Sequence, residues 1–319
     1  ALVNETFLLD AELAAVQRDD AVVIEAIEPS RLVLDEALLR SAFGLLINAH
    51  YQTRPSDLRQ LLDNPDVQLW LARVGDTVLG VLLASDEGGF DPGMAEQILA
   101  GRRRPRGHLL PQSLAVHAGL DPILRLRTVS IQRIAVHPGI QRFGIGLSLV
   151  ERAGEWAVEQ RFDLLGSAYG VDLSLLSFWH ALGFSPVRLG VRTDPASAAH
   201  SLFMLRGLSP SGSDLEASGS NDFQTGLPWA LAASLRGLDS VLATQLLRGR
   251  DCSDLVLCAA EERAVRRIAE GVRQPATAEA AVWKGVLNLA ASGVCPLRQL
   301  APILAWQVQR RSAEDVCHE

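Results

Sequence analysis

Residues Arg127–Gln160 read RTVSIQRIAVHPGIQRFGIGLSLVERAGEWAVEQ, a strand, a glycine-bearing turn and a helix in immediate succession. Thr128–Val136 is rich in β-branched residues and roughly alternates apolar and polar, which predicts a strand. His137-Pro138-Gly139 ends it, because proline lacks an amide donor and glycine accepts turn geometry. Gln141-Arg142-Phe143-Gly144-Ile145-Gly146 then runs into a helical pattern with Leu147, Val150, Trp156 and Val158 as its apolar positions. Free amides at a helix N-terminus, aided by the helix dipole, favour an anion, and glycines let it approach the backbone. A phosphorylated ligand is expected on Gln141–Leu147.

Spacing narrows the ligand. A Walker A loop requires lysine and Ser/Thr after its last glycine, where this chain has Leu147. A dinucleotide fingerprint requires three glycines, and two are present. Gln-x-x-Gly-x-Gly after a strand ending Ala-Val-His-Pro instead resembles the acetyl-CoA diphosphate loop of GCN5-related N-acetyltransferases. Phe162–Tyr169 reads as the next strand. Leu175–Leu182 reads as a helix leading to Phe178-Trp179-His180-Ala181-Leu182-Gly183-Phe184, and an aromatic pair before Gly-Phe is that family's second signature. The resemblance implies an α/β fold with a mixed, largely antiparallel sheet flanked by helices. It also implies coenzyme contacts from Ile134, Ala135 and Val136 to the pantetheine arm, and from Gln141, Arg142, Phe143, Gly144, Ile145, Gly146 and Leu147 to the diphosphate.

The 319 residues carry a net charge of −7, with 48% apolar and 21% charged side chains, the balance of a soluble globular chain long enough for two domains. No apolar run approaches the roughly 20 residues of a membrane span, and a cytoplasmic location is expected. Cys252, Cys258, Cys295 and Cys317 lack paired spacing, so buried free thiols are expected rather than a metal site. The acidic balance excludes a protein that coats nucleic acid generally. Every basic residue except Lys284 is arginine, and Arg102-Arg103-Arg104-Pro105-Arg106 forms a cluster, with Arg125, Arg127 and Arg133 following.

Residues 1–19 read as the trailing end of an upstream domain, and the start at Ala1 as that of a fragment. Residues 20–208 hold the α/β domain. Val22–Ile27 is its first strand, Leu32–Tyr51 a helix, and Pro55-Ser56-Asp57 opens a second helix capped by Ser56. Val67–Val74 and Val78–Ala84 form a hairpin around Gly75-Asp76-Thr77. An insertion, 86–126, follows with a helical piece at Met94–Leu99 and the arginine cluster. Pro186–Val191 and Ser201–Leu205 are the last strands. Residues 209–222, SPSGSDLEASGSND, read as a polar linker. Residues 223–319 read as a C-terminal α-helical domain broken at Gly249, Gln274-Pro275 and Cys295-Pro296.

Four blocks together resemble the tRNA(Met) cytidine acetyltransferases specifically: NAHYQTRPSDLRQLLD from Asn48, GRRRPRGHLLPQSL from Gly101, RIAVHPGIQRFGIG from Arg133 and FWHALGF from Phe178. Ordinary acetyltransferases lack the first two. The resemblance covers roughly residues 20–208. It implies transfer of acetyl from acetyl-CoA to the N4 amine of the wobble cytidine of tRNA, with His50 and Tyr51 as the catalytic pair. Imidazole titrates near neutrality, and a phenol donates a proton or stacks on a base. Arg102, Arg103, Arg104 and Arg106 become contacts to tRNA phosphates, and the tail a candidate tRNA contact. ATP use is implied in an upstream helicase-like module, since no Walker A lies in this chain. Relatives place an acidic and a basic residue against the coenzyme in the helix before Gly-Phe. Ser174 and Ala181 stand there, and Ser174 alone remains a polar contact. Where many relatives carry a tyrosine that protonates the leaving thiolate, this chain has Trp179. Two rivals remain open: an acetyltransferase of protein or small-molecule amines, and a non-catalytic RNA-binding module.

Overall fold

The computed structural model describes residues 21–49, 64 and 66–317. Two compact units divide the chain. One comprises the described residues up to Tyr169 with Ser177–Arg188 and Leu202–Gly219; the other comprises Gly170–Leu176, Leu189–Ser201 and Ser220 onwards.

The first unit begins with β1 (Val23–Ile27), α1 (Pro29–Leu34) and α2 (Glu36–Ala49). The expected single helix from Leu32 is thus two, because Asp35 leaves helical geometry and its side chain accepts from the Leu38 amide at 2.9 Å. The hairpin is β2 (Val67–Val74) and β3 (Thr77–Gly88). The insertion folds as α3 (Pro92–Leu99), α4 (Leu109–Ala118) and a short 3-10 turn before β4 (Arg127–Val136). Then come α5 (Ile145–Glu159), β5 (Leu164–Gly170), α6 (Leu173–Ala181), β6 (Ser185–Thr193) and β7 (His200–Gly207). Strand order is β1-β2-β3-β4-β5-β7-β6, with β1 to β4 antiparallel and β4 parallel to β5. This is the acetyltransferase fold read from the sequence.

Packing follows periodicity. Leu38, Ala42, Phe43, Leu45 and Leu46 of α2 bury one helical face against Val67, Leu69, Leu71, Val81 and Leu83 of the sheet. Removing such a side chain costs about 2–5 kcal/mol. On α5 the buried positions are Ile145, Leu149, Val150, Ala153, Gly154 and Ala157, whereas Leu147 and Val158 are exposed. The apolar stripe expected at Leu147 and Val158 therefore points outward, because the buried face is phased from Ile145. Gly80 of β3 lets α5 come close: a Cβ there would stand 3.0 Å from Leu149 and 3.1 Å from Ile145.

The linker expected at 209–222 is corrected. Residues 210–222 lie in α7, Pro210–Ala232, and their small side chains serve close packing. A Cβ on Gly212 would fall 1.9 Å from the Asp163 carbonyl oxygen, and one on Gly219 would meet Leu120 at 2.9 Å.

The second unit contains α8 (Ser240–Leu246), α9 (Ala259–Ala269), α10 (Glu279–Ser292), α11 (Leu297–Gln307) and α12 (Ala313–Cys317), broken where the sequence placed its breaks. Among the described cysteines Cys258 is exposed, and Cys252 and Cys295 are half-buried. The expectation of buried thiols fails because all three sit in turns or at helix starts. No helix among the described residues is long and apolar enough to cross a membrane. No metal-binding cluster occurs among them either.

Candidate functional site

The pairing of β4 defines a slot. Toward β3 the strand is paired along its length, from Arg127 to Val136. Toward β5 it pairs only from Thr128↔Leu164 to Ile131↔Ser167. Beyond Ile131, among the described residues, no strand pairs with that edge of β4 as far as Val136, and backbone amides and carbonyls on such an edge are ready to pair with an extended amide chain. The opening coincides with a bulge. Leu83 pairs with Arg133 and Ala84 with Ile131, so Gln132 is the extra residue. Bulges bend a strand and interrupt its ladder, which explains why β4 and β5 part here.

The open edge leads into the turn. His137 Nδ1 accepts from the Gly139 amide at 3.1 Å, and Gln141 Nε2 donates back to the Val136 carbonyl at 3.3 Å, folding the loop onto the strand end. Gly144 caps α5 at φ 85° and ψ −6°, left-handed geometry that glycine adopts without strain. A Cβ on Gly144 would meet nothing within 4 Å, so the space above the cap is clear. First-turn amides of α5, from Ile145 to Leu147, have no partner within the helix and lie at its positive end. Gly146 packs on Phe178, where a Cβ would sit 3.3 Å from the ring. An open amide edge that ends at a clear helix N-terminus fits a diphosphate carrying an extended, amide-containing arm. Acetyl-CoA has that chemistry, and Ile134, Ala135, Val136, Gln141 and Gly144–Leu147 are the residues along that edge and turn. Arg142 and Phe143 are exposed beside the cap, Phe143 at 65%.

Other expected site residues stand elsewhere. His50 and Tyr51 lie outside the described residues; α2, whose end they follow, packs on β3 and β4. Ser174 is exposed on α6. Trp179 is 3% exposed, stacked on Tyr169 at 5.9 Å with Phe184 at its edge. It is a core residue with no ionisable proton, and a thiolate finds no acid there.

Arg102, Arg103, Arg104 and Arg106 are exposed, and among the described residues none has an ion-pair partner. Arg103 and Arg104 line a groove of about 280 Å³ with Ile98, Leu109, Gln112 and His117. Arg127, counted with the cluster in the sequence, is committed instead. It pairs with Asp86 at 3.0 Å, donates to the Gln160 carbonyl and lies over the Phe162 ring.

Sequence reasoning missed what anchors the arginine loop. Glu87, at the end of β3, is 2% exposed. It accepts from the Leu110 amide at 3.0 Å and from Ser85 Oγ at 3.1 Å. His108 Nδ1 accepts from the Gly88 amide, and Gln112 Nε2 donates to the Pro105 and His108 carbonyls. The sequence offered one signal, a Glu-Gly-Gly step ending a long apolar strand.

Burial pushes the Glu87 carboxyl above its ordinary 4.5, against hydrogen bonds from Leu110, Ser85, Ser130 and Gln132 that hold it down. A carboxyl whose pKa is raised by folding stabilises the fold below its unfolded value and loses that contribution as pH rises through the folded one. Unfolding free energy of the wild type, relative to Glu87→Gln, should therefore fall across that window by about 1.4 kcal/mol for every pH unit between the two values. Urea titrations of both proteins over the window check this. A difference independent of pH contradicts the burial argument.

The family model described as GNAT acetyltransferase 2 matches residues 41–158. A tRNA(Met) cytidine acetyltransferase TmcA from Nitrosococcus halophilus is 44% identical over 254 residues, 78% of this chain and 34% of that protein. The protein of the same name from Vibrio cholerae is 33% identical over 319 residues, 99% of this chain and 43% of its own length. This chain thus spans about a third to two fifths of the curated relatives it matches. Among solved structures, the IAA acetyltransferase from Bacillus cereus covers 59% of this chain and 99% of its own, at 17% identity and a TM-score of 0.38, a likeness too slight to carry an argument.

Proposed function

We propose that the chain is a member of the tRNA(Met) cytidine acetyltransferase family and performs that family's transfer, from acetyl-CoA to the N4 amine of the wobble cytidine of elongator tRNA(Met). One observation carries the reading: the pairing of β4 with β5 stops at Ile131↔Ser167, so that among the described residues no strand follows that edge of β4 onward to Val136, where it runs into the glycine-capped start of α5.

When bound, acetyl-CoA supplies the acetyl group and the thiolate that leaves. The chain supplies placement. Amides and carbonyls of Ile134–Val136 pair with the arm, and an amide aimed at the thioester oxygen stabilises the charge that develops there. Amides of Ile145–Leu147 hold the diphosphate. The cytidine amine is conjugated with its ring and already neutral, so it needs alignment before reaction and a proton acceptor during it. His50 takes that proton and Tyr51 orients the base, roles assigned by resemblance. The wobble nucleotide leaves the anticodon stack at a cost of a few kcal/mol, while Arg102, Arg103, Arg104 and Arg106 hold the backbone. ATP acts in a part of the protein outside this chain, as the family resemblance implies.

Incubation with labelled acetyl-CoA, with and without ATP, against tRNA, protein and polyamine pools tests the reading. Label in cytidine of tRNA is expected, and label only in protein or polyamine contradicts it. Replacing Arg102, Arg103 and Arg104 together by alanine should weaken tRNA binding. It should also flatten the slope of log affinity against log salt by about 2 to 3, at ~0.7–0.9 per phosphate contact. An unchanged slope makes the cluster a solvated face.

A further inference from the structure

We propose that Gln132, held in one orientation by a polar chain ending at Glu87, reads the amino group of the acceptor base and so separates cytidine from uridine. The proposal rests on the functional reading above and deepens it at one contact.

The residues sit where the open edge begins. From Val136 back to Gln132 the edge spans five residues, about 16 Å of strand, room for an extended arm whose reactive end then lies near Gln132. Gln132 is exposed, and as the bulged residue its side chain is released from the regular alternation of β4. Its Nε2 donates to Ser85 Oγ at 2.8 Å, and Ser85 Oγ donates to Glu87 Oε1 at 3.1 Å. Ser85 and Glu87 are 5% and 2% exposed, so the inner end of this chain is shielded from water.

Direction in such a chain is set by its end. An ionised carboxylate only accepts, a hydroxyl has one proton to give, and an amide has distinct donor and acceptor ends. Glu87 is met by the Leu110 amide, which only donates, by the Ser85 and Ser130 hydroxyls and by the Gln132 side chain, and in its ionised form it accepts from each. Ser85 must then give its proton to Glu87 and receive one from Gln132. Gln132 can satisfy Ser85 only with its NH2 group, which turns its carbonyl oxygen outward. No other hydrogen bond occupies that oxygen among the described residues.

An outward acceptor beside the reactive end of the arm matches an exocyclic amine. Cytidine presents N4–H donors there, whereas uridine presents O4, a second acceptor that faces the Gln132 oxygen with no proton between them. A site built to accept from a donor rejects the isostere lacking it, because its own polar group is left unpaired.

The test compares anticodon stem-loop RNA carrying cytidine or uridine at the target position. It measures acetylation of the first and competitive inhibition by the second in the wild type, Gln132→Met and Glu87→Gln, with acetyl-CoA affinity followed in all three. The wild type is expected to hold the uridine RNA about 10- to 100-fold more weakly. Gln132→Met should lose that preference while still binding acetyl-CoA. Glu87→Gln should lose most of it with Gln132 intact, because an amide at position 87 lets the chain run either way; a purely structural role for Gln132 predicts no such effect. Exposed Gln132 tolerates substitution, so its variant decides the matter should Glu87→Gln not fold. Wild-type acetylation of the cytidine RNA with preference retained in Gln132→Met overturns the proposal alone. Absence of any RNA acetylation by the wild type overturns the functional reading and the proposal with it.

Discussion

Replacing Gly144 by valine is expected to abolish acetyl-CoA binding while leaving the fold in place. The backbone at Gly144 is left-handed, at φ 85°, a region that costs an ordinary residue about 1–2 kcal/mol and a β-branched one more. That strain falls on one exposed turn. Among the described residues nothing lies within 4 Å of an added Cβ there. The space a valine side chain fills is the space above the first-turn amides of α5, where the proposed reading seats the diphosphate. Loss of that seat should weaken binding on the order of 100-fold or more, about 3 kcal/mol. Equilibrium binding of acetyl-CoA together with a thermal melt separates the two effects. Unaltered affinity removes the phosphate-loop assignment.

Gly212→Ala is expected to act on the fold instead. Its Cβ would lie 1.9 Å from the Asp163 carbonyl oxygen and 2.9 Å from the carbonyl carbon, backbone atoms with no freedom to move aside. Asp163 is bonded on every side. Its carboxylate accepts from Ser209 Oγ at 2.7 Å and from the Arg127 amide at 3.0 Å. Its carbonyl accepts from the Leu208 amide at 2.8 Å, and its own amide donates to the Arg127 carbonyl. Seating the start of α7 elsewhere breaks that corner, which joins the beginnings of β4 and β5. Overpacking of this kind costs about 3 kcal/mol at the upper end of its usual range, or about 6–12 °C in melting temperature for a domain this large. A melting temperature within 1–2 °C of the wild type, on the same scale, would mean that α7 is not seated as described.

That second case shows where sequence reading failed. SPSGSDLEASGSND has the composition of a flexible spacer, and composition cannot separate a glycine that loosens a chain from one that lets two backbones touch. The signal was Leu215, buried and set four residues before Gly219, a helical spacing hidden among serines. The strand-turn-helix at 127–160 was legible because its apolar period, its Pro-Gly break and its paired glycines all act locally. The slot beside β4 was less so. Its existence depends on where β5 stops pairing and on a bulge at Gln132, neither of which is written in local residue order. Glu87 was invisible for a related reason. A carboxylate at a strand end looks solvated until a helix 23 residues later brings the Leu110 amide to it. The arginine cluster was read from charge alone. Its support by His108 and Gln112 came from the fold.

The most direct measurement follows the backbone amides of the turn. In a spectrum of the ¹⁵N-labelled protein, addition of coenzyme A should shift the amide signals of Gly144, Ile145, Gly146 and Leu147 most strongly. Those of Ile134–Val136 should follow, and ADP should shift the turn but not the strand. Turn signals unmoved at saturating coenzyme, or shifts confined to another part of the chain, contradict the account.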